Sequence, residues 1–98
     1  MPESRIARIR ARIRARQYDM SAHAMEEMAE DNLDIEDIES AVMRGRIVRT
    51  DRDDPRGTKY VIAGRGIDGM TPVGVVVRFT NTGRMLIITV YEITELEM

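Results

Sequence analysis

The hydrophobic period of this chain changes near Gly45. Before it, apolar residues recur at helical spacing; after it, they alternate or run in short blocks, as strands do. Residues 5–16 carry both signals. Ile6, Ile9 and Ile13 are spaced i, i+3, i+7, yet Arg8 to Arg16 alternate strictly between basic and apolar. Ala and Arg favour helix and only Ile is β-branched, so the segment is predicted as an amphipathic helix whose polar surface is almost all Arg. Ser21 suits the N-cap of a second helix reaching about Asp31, with Met25, Met28 and Ala29 as its apolar stripe. Asp34 suits the N-cap of a third, with Glu36 and Asp37 in a first turn whose dipole favours negative charge. Ile35, Ile38, Val42 and Met43 would face the core, and Gly45 would end the helix as a left-handed residue.

Beyond Gly45, Arg46–Asp51 reads as a short edge strand and residues 53–57 as a turn. Three long strands follow: Lys59–Ile67, Val73–Thr80 and Arg84–Ile93. They are joined by Asp68-Gly69, a favoured hairpin dipeptide, and by Asn81-Thr82-Gly83. The predicted fold is α+β: N-terminal helices packed on one face of a four-stranded, mainly antiparallel sheet. Residues 1–17 are read as the Arg-rich helix and 18–98 as a single α+β domain.

Strand parity divides the sheet into two faces. One consistent solution puts Tyr60, Ile62, Val73, Val75, Val77, Phe79, Leu86, Ile88 and Val90 under the helices. Lys59, Arg65, Arg78, Thr89 and Tyr91 then share the other face. Two guanidiniums, an ammonium, a hydroxyl and a phenol suit a phosphate or oxyanion; the plainer reading is an ordinary solvated face. A bulge would break this parity, and Gly64 and Gly66 are the candidates for one.

Composition narrows the chemistry. The 98 residues carry no Cys, which excludes disulfides, zinc–thiolate sites and a cysteine nucleophile. One His and no Cys leave little for a transition metal, the acids of 26–39 lack calcium-loop spacing, and neither metal nor cofactor is expected. No run nears the roughly 18 apolar residues of a membrane span, and the basic N-terminus lacks the apolar core of a secretory signal; a cytoplasmic location is expected. The net charge of −2 is segregated into a basic arm, an acidic stretch from Asp19 to Glu39 and a basic second half. Such a pattern either steers an anionic partner to one side or draws the arm onto the acidic helices. His23, the only histidine, stands in a first helical turn, where it serves as a general acid–base or as a half-buried histidine bonded to backbone.

Several segments together resemble a known family: Ser21-Ala22-His23-Ala24-Met25-Glu26-Glu27-Met28, Ile35-Glu36-Asp37-Ile38 with the Gly45 stop, Lys59-Tyr60-Val61-Ile62-Ala63-Gly64-Arg65, Val75-Val76-Val77-Arg78-Phe79 and Ile88-Thr89-Val90-Tyr91-Glu92. In order and spacing they are similar to the bacterial domain-of-unknown-function family 4258, over roughly residues 18–93. That family is similar in turn to the barnase–colicin–RelE-like toxin nucleases, which are often encoded beside a small antitoxin with a zinc-finger module. The resemblance implies helices on an antiparallel sheet and, residue by residue, a site of His23, Arg65, Arg78, Thr89 and Tyr91.

The expected function is therefore a toxin-like, metal-independent endoribonuclease of a type II toxin–antitoxin pair, cleaving mRNA, free or ribosome-bound. His23 would be the general acid–base and Tyr91 would share proton transfer. Arg65 and Arg78, helped by Lys59, would stabilise phosphoryl charge; Thr89 would orient the phosphate, and Arg12 and Arg16 would hold RNA backbone. Two alternatives stand beside it: a non-catalytic binding or assembly module, dimeric through the Arg-rich helix or the edge strand, and a small-molecule regulator with a phosphate or carboxylate ligand on the basic face.

Overall fold

The computed structural model describes residues 4–93. Its elements, in chain order, are α1 (Arg5–Arg14), β1 (Tyr18–Met20), α2 (Ala22–Glu30), α3 (Ile35–Arg44), β2 (Arg46–Asp51), β3 (Lys59–Arg65), β4 (Pro72–Phe79) and β5 (Met85–Glu92). They form an α+β fold with one five-stranded sheet of order β1-β5-β4-β3-β2. Four strands were expected. The fifth is β1, only three residues long and parallel to β5, with Tyr18 opposite Met85 and Met20 opposite Ile87. It is too short to show a period, and Tyr18 links it to the helical layer. Its phenol donates to Glu39 on α3 at 2.6 Å; burial first, then this bond, push its pKa up to about 12.

The helices cover one face. Ile9 and Ile13 of α1, Ala24 of α2, Leu33, and Ile38, Ala41 and Val42 of α3 close over Tyr60, Ile62, Val73, Val75, Val77, Met85, Ile87 and Val90. Thus α1 shares the core of the rest of the chain; the expected outer bounds, residues 1 and 98, lie outside the described residues. Its arginines are largely occupied. Arg10 donates to the carbonyls of Val42 (3.3 Å) and Gly45 (2.7 Å), placing a cation on the C-terminus of α3. Arg5 donates to the Tyr60 hydroxyl at 3.1 Å, and Arg8 lies 4.4 Å above the Phe79 ring.

Three local expectations are corrected. The inward residues of β5 are Met85, Ile87 and Val90, not Leu86, Ile88 and Val90. The register jumps from Val76–Thr89 to Val77–Ile87. Ile88 is therefore the extra residue of a bulge, which reverses parity below it. A second irregularity falls at Val48 in β2, and neither falls at Gly64 or Gly66. In α2 the inward residues are Ala24 and Met28, whereas Met25 is 53% exposed and Ala29 is exposed. Helix α2 lies along the rim of β5 rather than flat on the sheet, which turns its inward face. Gly45 is extended, with φ −91°. Left-handed residues instead end α1 at Arg16 (φ 55°) and α2 at Asn32 (φ 57°). Gly45 is required by contact: a Cβ there would stand 2.4 Å from the carbonyl oxygens of Ala41 and Ala63.

Candidate functional site

Among the described residues no helix or strand covers the sheet face away from the helices, the open face. Its composition follows from the register. Arg46 opposes Ala63, Arg49 opposes Val61 and Asp51 opposes Lys59. Ala63 opposes Gly74, Val61 opposes Val76 and Arg65 opposes Pro72. Gly74 opposes Tyr91, Val76 opposes Thr89 and Arg78 opposes Leu86. All five residues placed by parity on this face therefore lie on it: Lys59, Arg65, Arg78, Thr89 and Tyr91. Parity survives for Thr89 and Tyr91 because both follow the bulge.

The centre of the face is apolar. Val61 and Ile93 are 5% and 7% exposed, outside the main core. The Tyr91 ring lies across Gly74, where a Cβ would come within 2.3 Å of its Cζ. Only Gly lets this phenol lie flat on the strand beside it. Around this floor stand Arg46, Arg49, Arg65 and Arg78. Among the described residues none of the four has a carboxylate within ion-pair distance. Arg65 donates to the Gly69 carbonyl at 3.3 Å. At one end of the face, Arg44, Arg46 and Arg65 rim a groove of about 450 Å³ floored by Val48, Ala63, Pro72 and Ile93.

The remaining candidates are placed differently. Lys59 is held 3.3 Å from Asp54 and 3.7 Å from Asp51, so its charge is answered within the chain. The Asp54 carboxyl is lowered to about 2, chiefly by the Arg56 N–H and guanidinium, with Lys59 helping. Arg65 and Arg78 are not neighbours. Arg65 opposes Pro72, and Arg78 lies six residues further along β4, roughly 20 Å at about 3.3 Å per residue. Arg12 donates to the Gly83 carbonyl at 2.6 Å and approaches Phe79, while Arg16 is exposed just past α1.

His23 belongs to α2, at the rim of β5. Its side chain is 65% exposed, and its Nε2 lies 3.2 Å from Oε1 of Glu27. The same oxygen accepts the Val90 N–H at 3.2 Å. Two residues on, the Glu92 N–H donates to Asp31 at 2.9 Å. Before them, Ser21 N–H meets the Ile87 carbonyl and Ser21 Oγ the Ile88 carbonyl. Polar groups of β5 that β1 leaves unpaired are thus bonded by α2 and its cap. The spacing explains why Glu27 and Asp31 can do this. Four helical residues rise about 6 Å, close to the roughly 6.6 Å of two strand residues. This role was hidden in the sequence, where acids on a helix read as a solvated face. The i, i+4 pair of acids on the helix preceding the sheet was the available signal.

No group of three or more His, Asp or Glu converges as metal ligands would among the described residues. No helix there is long and apolar enough to cross a membrane.

Helices packed on one face of a mixed, mainly antiparallel sheet, with arginines on the other face, define a small α+β domain. Residues 20–92 match the family model described as domain of unknown function (DUF4258), and the chain belongs to that family. Helix α1 and most of β1 precede the matched region. No curated protein and no solved structure matches the chain.

Proposed function

We propose that this chain is a non-catalytic binding module that receives an anionic partner protein on the open face of its sheet. One observation carries the reading: four guanidiniums, without carboxylate partners among the described residues, are spread around an apolar floor over roughly 20 Å. Phosphoryl transfer needs donors converging on one developing charge. Dispersed cations around an apolar centre suit recognition of a surface, where charge sets specificity and encounter rate. His23 supports the same reading, since its Nε2 is engaged by a carboxylate that also terminates the sheet. The small antitoxin implied by the family resemblance is one partner of this type, and such an association would place the chain in the cytoplasm.

A second reading, the metal-independent endoribonuclease, is favoured by a narrower observation. Arg78, Thr89 and Tyr91 share the open face, with Thr89 opposite Val76, two residues from Arg78 on β4, and Tyr91 opposite Gly74. They could hold a phosphate of RNA, with Tyr91 taking the acid–base role expected of His23.

Induced expression in bacteria separates the two. Wild type, His23→Ala, Arg65→Ala and Arg78→Ala are compared at verified soluble levels, with growth and cellular RNA integrity as readouts. The binding module predicts unimpaired growth and intact RNA for all four. Arrest with RNA cleavage, relieved by Arg78→Ala, would replace it with the nuclease.

A further inference from the structure

The two edges of this sheet are treated differently. At the β5 edge, β1, Ser21, Glu27 and Asp31 bond successive backbone groups from Met85 to Glu92. At the β2 edge, no hydrogen bond among the described residues uses the backbone of Arg46–Asp51 beyond its ladder with β3. An unpaired row of N–H and C=O groups is a template for another strand. Here the row is marked chemically. Arg46 and Arg49 stand on its open-face side, Val48 bulges out 49% exposed, and the groove rimmed by Arg44 and Arg65 opens beside it.

Resting on the binding-module reading, we infer that the partner contributes an extended acidic segment that adds to β2 as a sixth strand. Main-chain pairing supplies affinity, and alternate side chains supply selectivity. Carboxylates at alternate positions of the incoming strand lie over Arg46 and Arg49, with the next reaching the groove arginines. Guanidinium–carboxylate pairing is the strong form of such a contact. The same charges decide against a second copy of this chain. Antiparallel pairing of two β2 strands about a twofold axis sets Arg46 and Arg49 of each copy against those of the other, and like charges across strands repel. A short, bulged, arginine-bearing edge therefore resists indiscriminate pairing and admits a strand that brings the opposite charge.

The test uses the full chain and short end-blocked peptides: alternating Glu and Val, alternating Lys and Val, and the Glu/Val peptide with a central Pro. A single-stranded RNA oligonucleotide is the fourth probe. Affinity is read by fluorescence anisotropy and the binding locus by amide hydrogen exchange. The inference predicts that the Glu/Val peptide binds and slows exchange at alternate amides of Arg46–Asp51. The Lys/Val and Pro peptides should bind at least about tenfold more weakly. Arg46→Glu/Arg49→Glu should lose a similar factor, with Arg46→Ala/Arg49→Ala intermediate and melting temperature unchanged. Equal binding of the Lys/Val peptide, or binding that leaves β2 exchange untouched, overturns it. If a peptide binds, weakens with Arg65→Ala/Arg78→Ala and leaves the β2 amides unprotected, the edge inference falls while the open-face reading stands. RNA as the sole binder overturns the edge inference and the protein-binding reading alike, and favours the nuclease. No binding by any probe overturns both.

Discussion

Replacing Glu27 by Met tests the claim that a helix terminates this sheet. Met matches Glu in helix propensity and closely in length, so the substitution removes the acceptor while keeping the helix. The Val90 N–H then faces an apolar side chain in a half-buried site. A hydrogen bond to a charged group contributes about 1.5–3 kcal/mol, and a stranded donor costs about 1–3 kcal/mol. The lost contact with His23, a 65% exposed residue, adds less than about 1 kcal/mol. A loss near 2 kcal/mol is expected. At about 4–8 °C per kcal/mol for a domain of this size, the melting temperature should fall by roughly 10 °C. Glu27→Gln keeps a carbonyl acceptor and should lose less than half as much. Glu26→Met, one position round the helix on an exposed site, should stay within about 0.5 kcal/mol. Urea denaturation measures the stability, and amide exchange at Val90 measures the local effect. A loss below about 0.5 kcal/mol for Glu27→Met, with Val90 exchange unchanged, would refute the edge-capping argument.

Three further outcomes follow from the packing and the charges. Ile87→Ala should cost about 3 kcal/mol and Ile88→Ala under about 1 kcal/mol, because the bulge buries the first and leaves the second half-exposed; equal losses in urea melts would deny the bulge. Gly64→Ala would set a Cβ 2.1 Å from the Ala41 carbonyl oxygen, so α3 must lift from β3, and denaturation should show a loss of at least about 2 kcal/mol. In acid, stability should fall as pH drops from about 4 toward 2. Asp54 and Asp68 ionise near 2 in the fold against an ordinary 3.8, Asp68 because the Thr71 hydroxyl and the Thr71 and Met70 N–H groups donate to it. Their contribution is complete above the unfolded value and is lost on protonation. The slope of stability against pH over that window should flatten in Asp68→Asn.

Much of the fold was legible because local signals agreed. The caps at Ser21 and Asp34 stand where expected, with Ser21 Oγ accepting the Ala24 N–H and the Asp37 carboxylate accepting the Asp34 N–H. Gly69 and Gly83 have positive φ at the two hairpin turns. What stayed hidden depended on contacts between distant parts of the chain. β1 is a strand only because β5 is beside it. The bulge at Ile88 cannot be read from Leu86-Ile87-Ile88, where every residue is apolar and no alternation marks the face. The open face was legible through Arg65, Arg78, Thr89 and Tyr91, whose parity holds. Its extent was not: Arg46 and Arg49 join it only through the β2–β3 register, and the wide separation of Arg65 from Arg78 follows from their places on the ladder. His23 was the most chemically suggestive residue in the sequence, yet its contact is with Glu27, whose structural task the sequence conceals.

The most direct test of the central claim is a titration of the isotopically labelled chain with polyglutamate, followed by amide chemical shifts. Saturable shifts at Arg46, Arg65, Arg78 and Tyr91, fading as salt rises, are the predicted result. Shifts confined to α2 and α3, or none at any concentration, would contradict it.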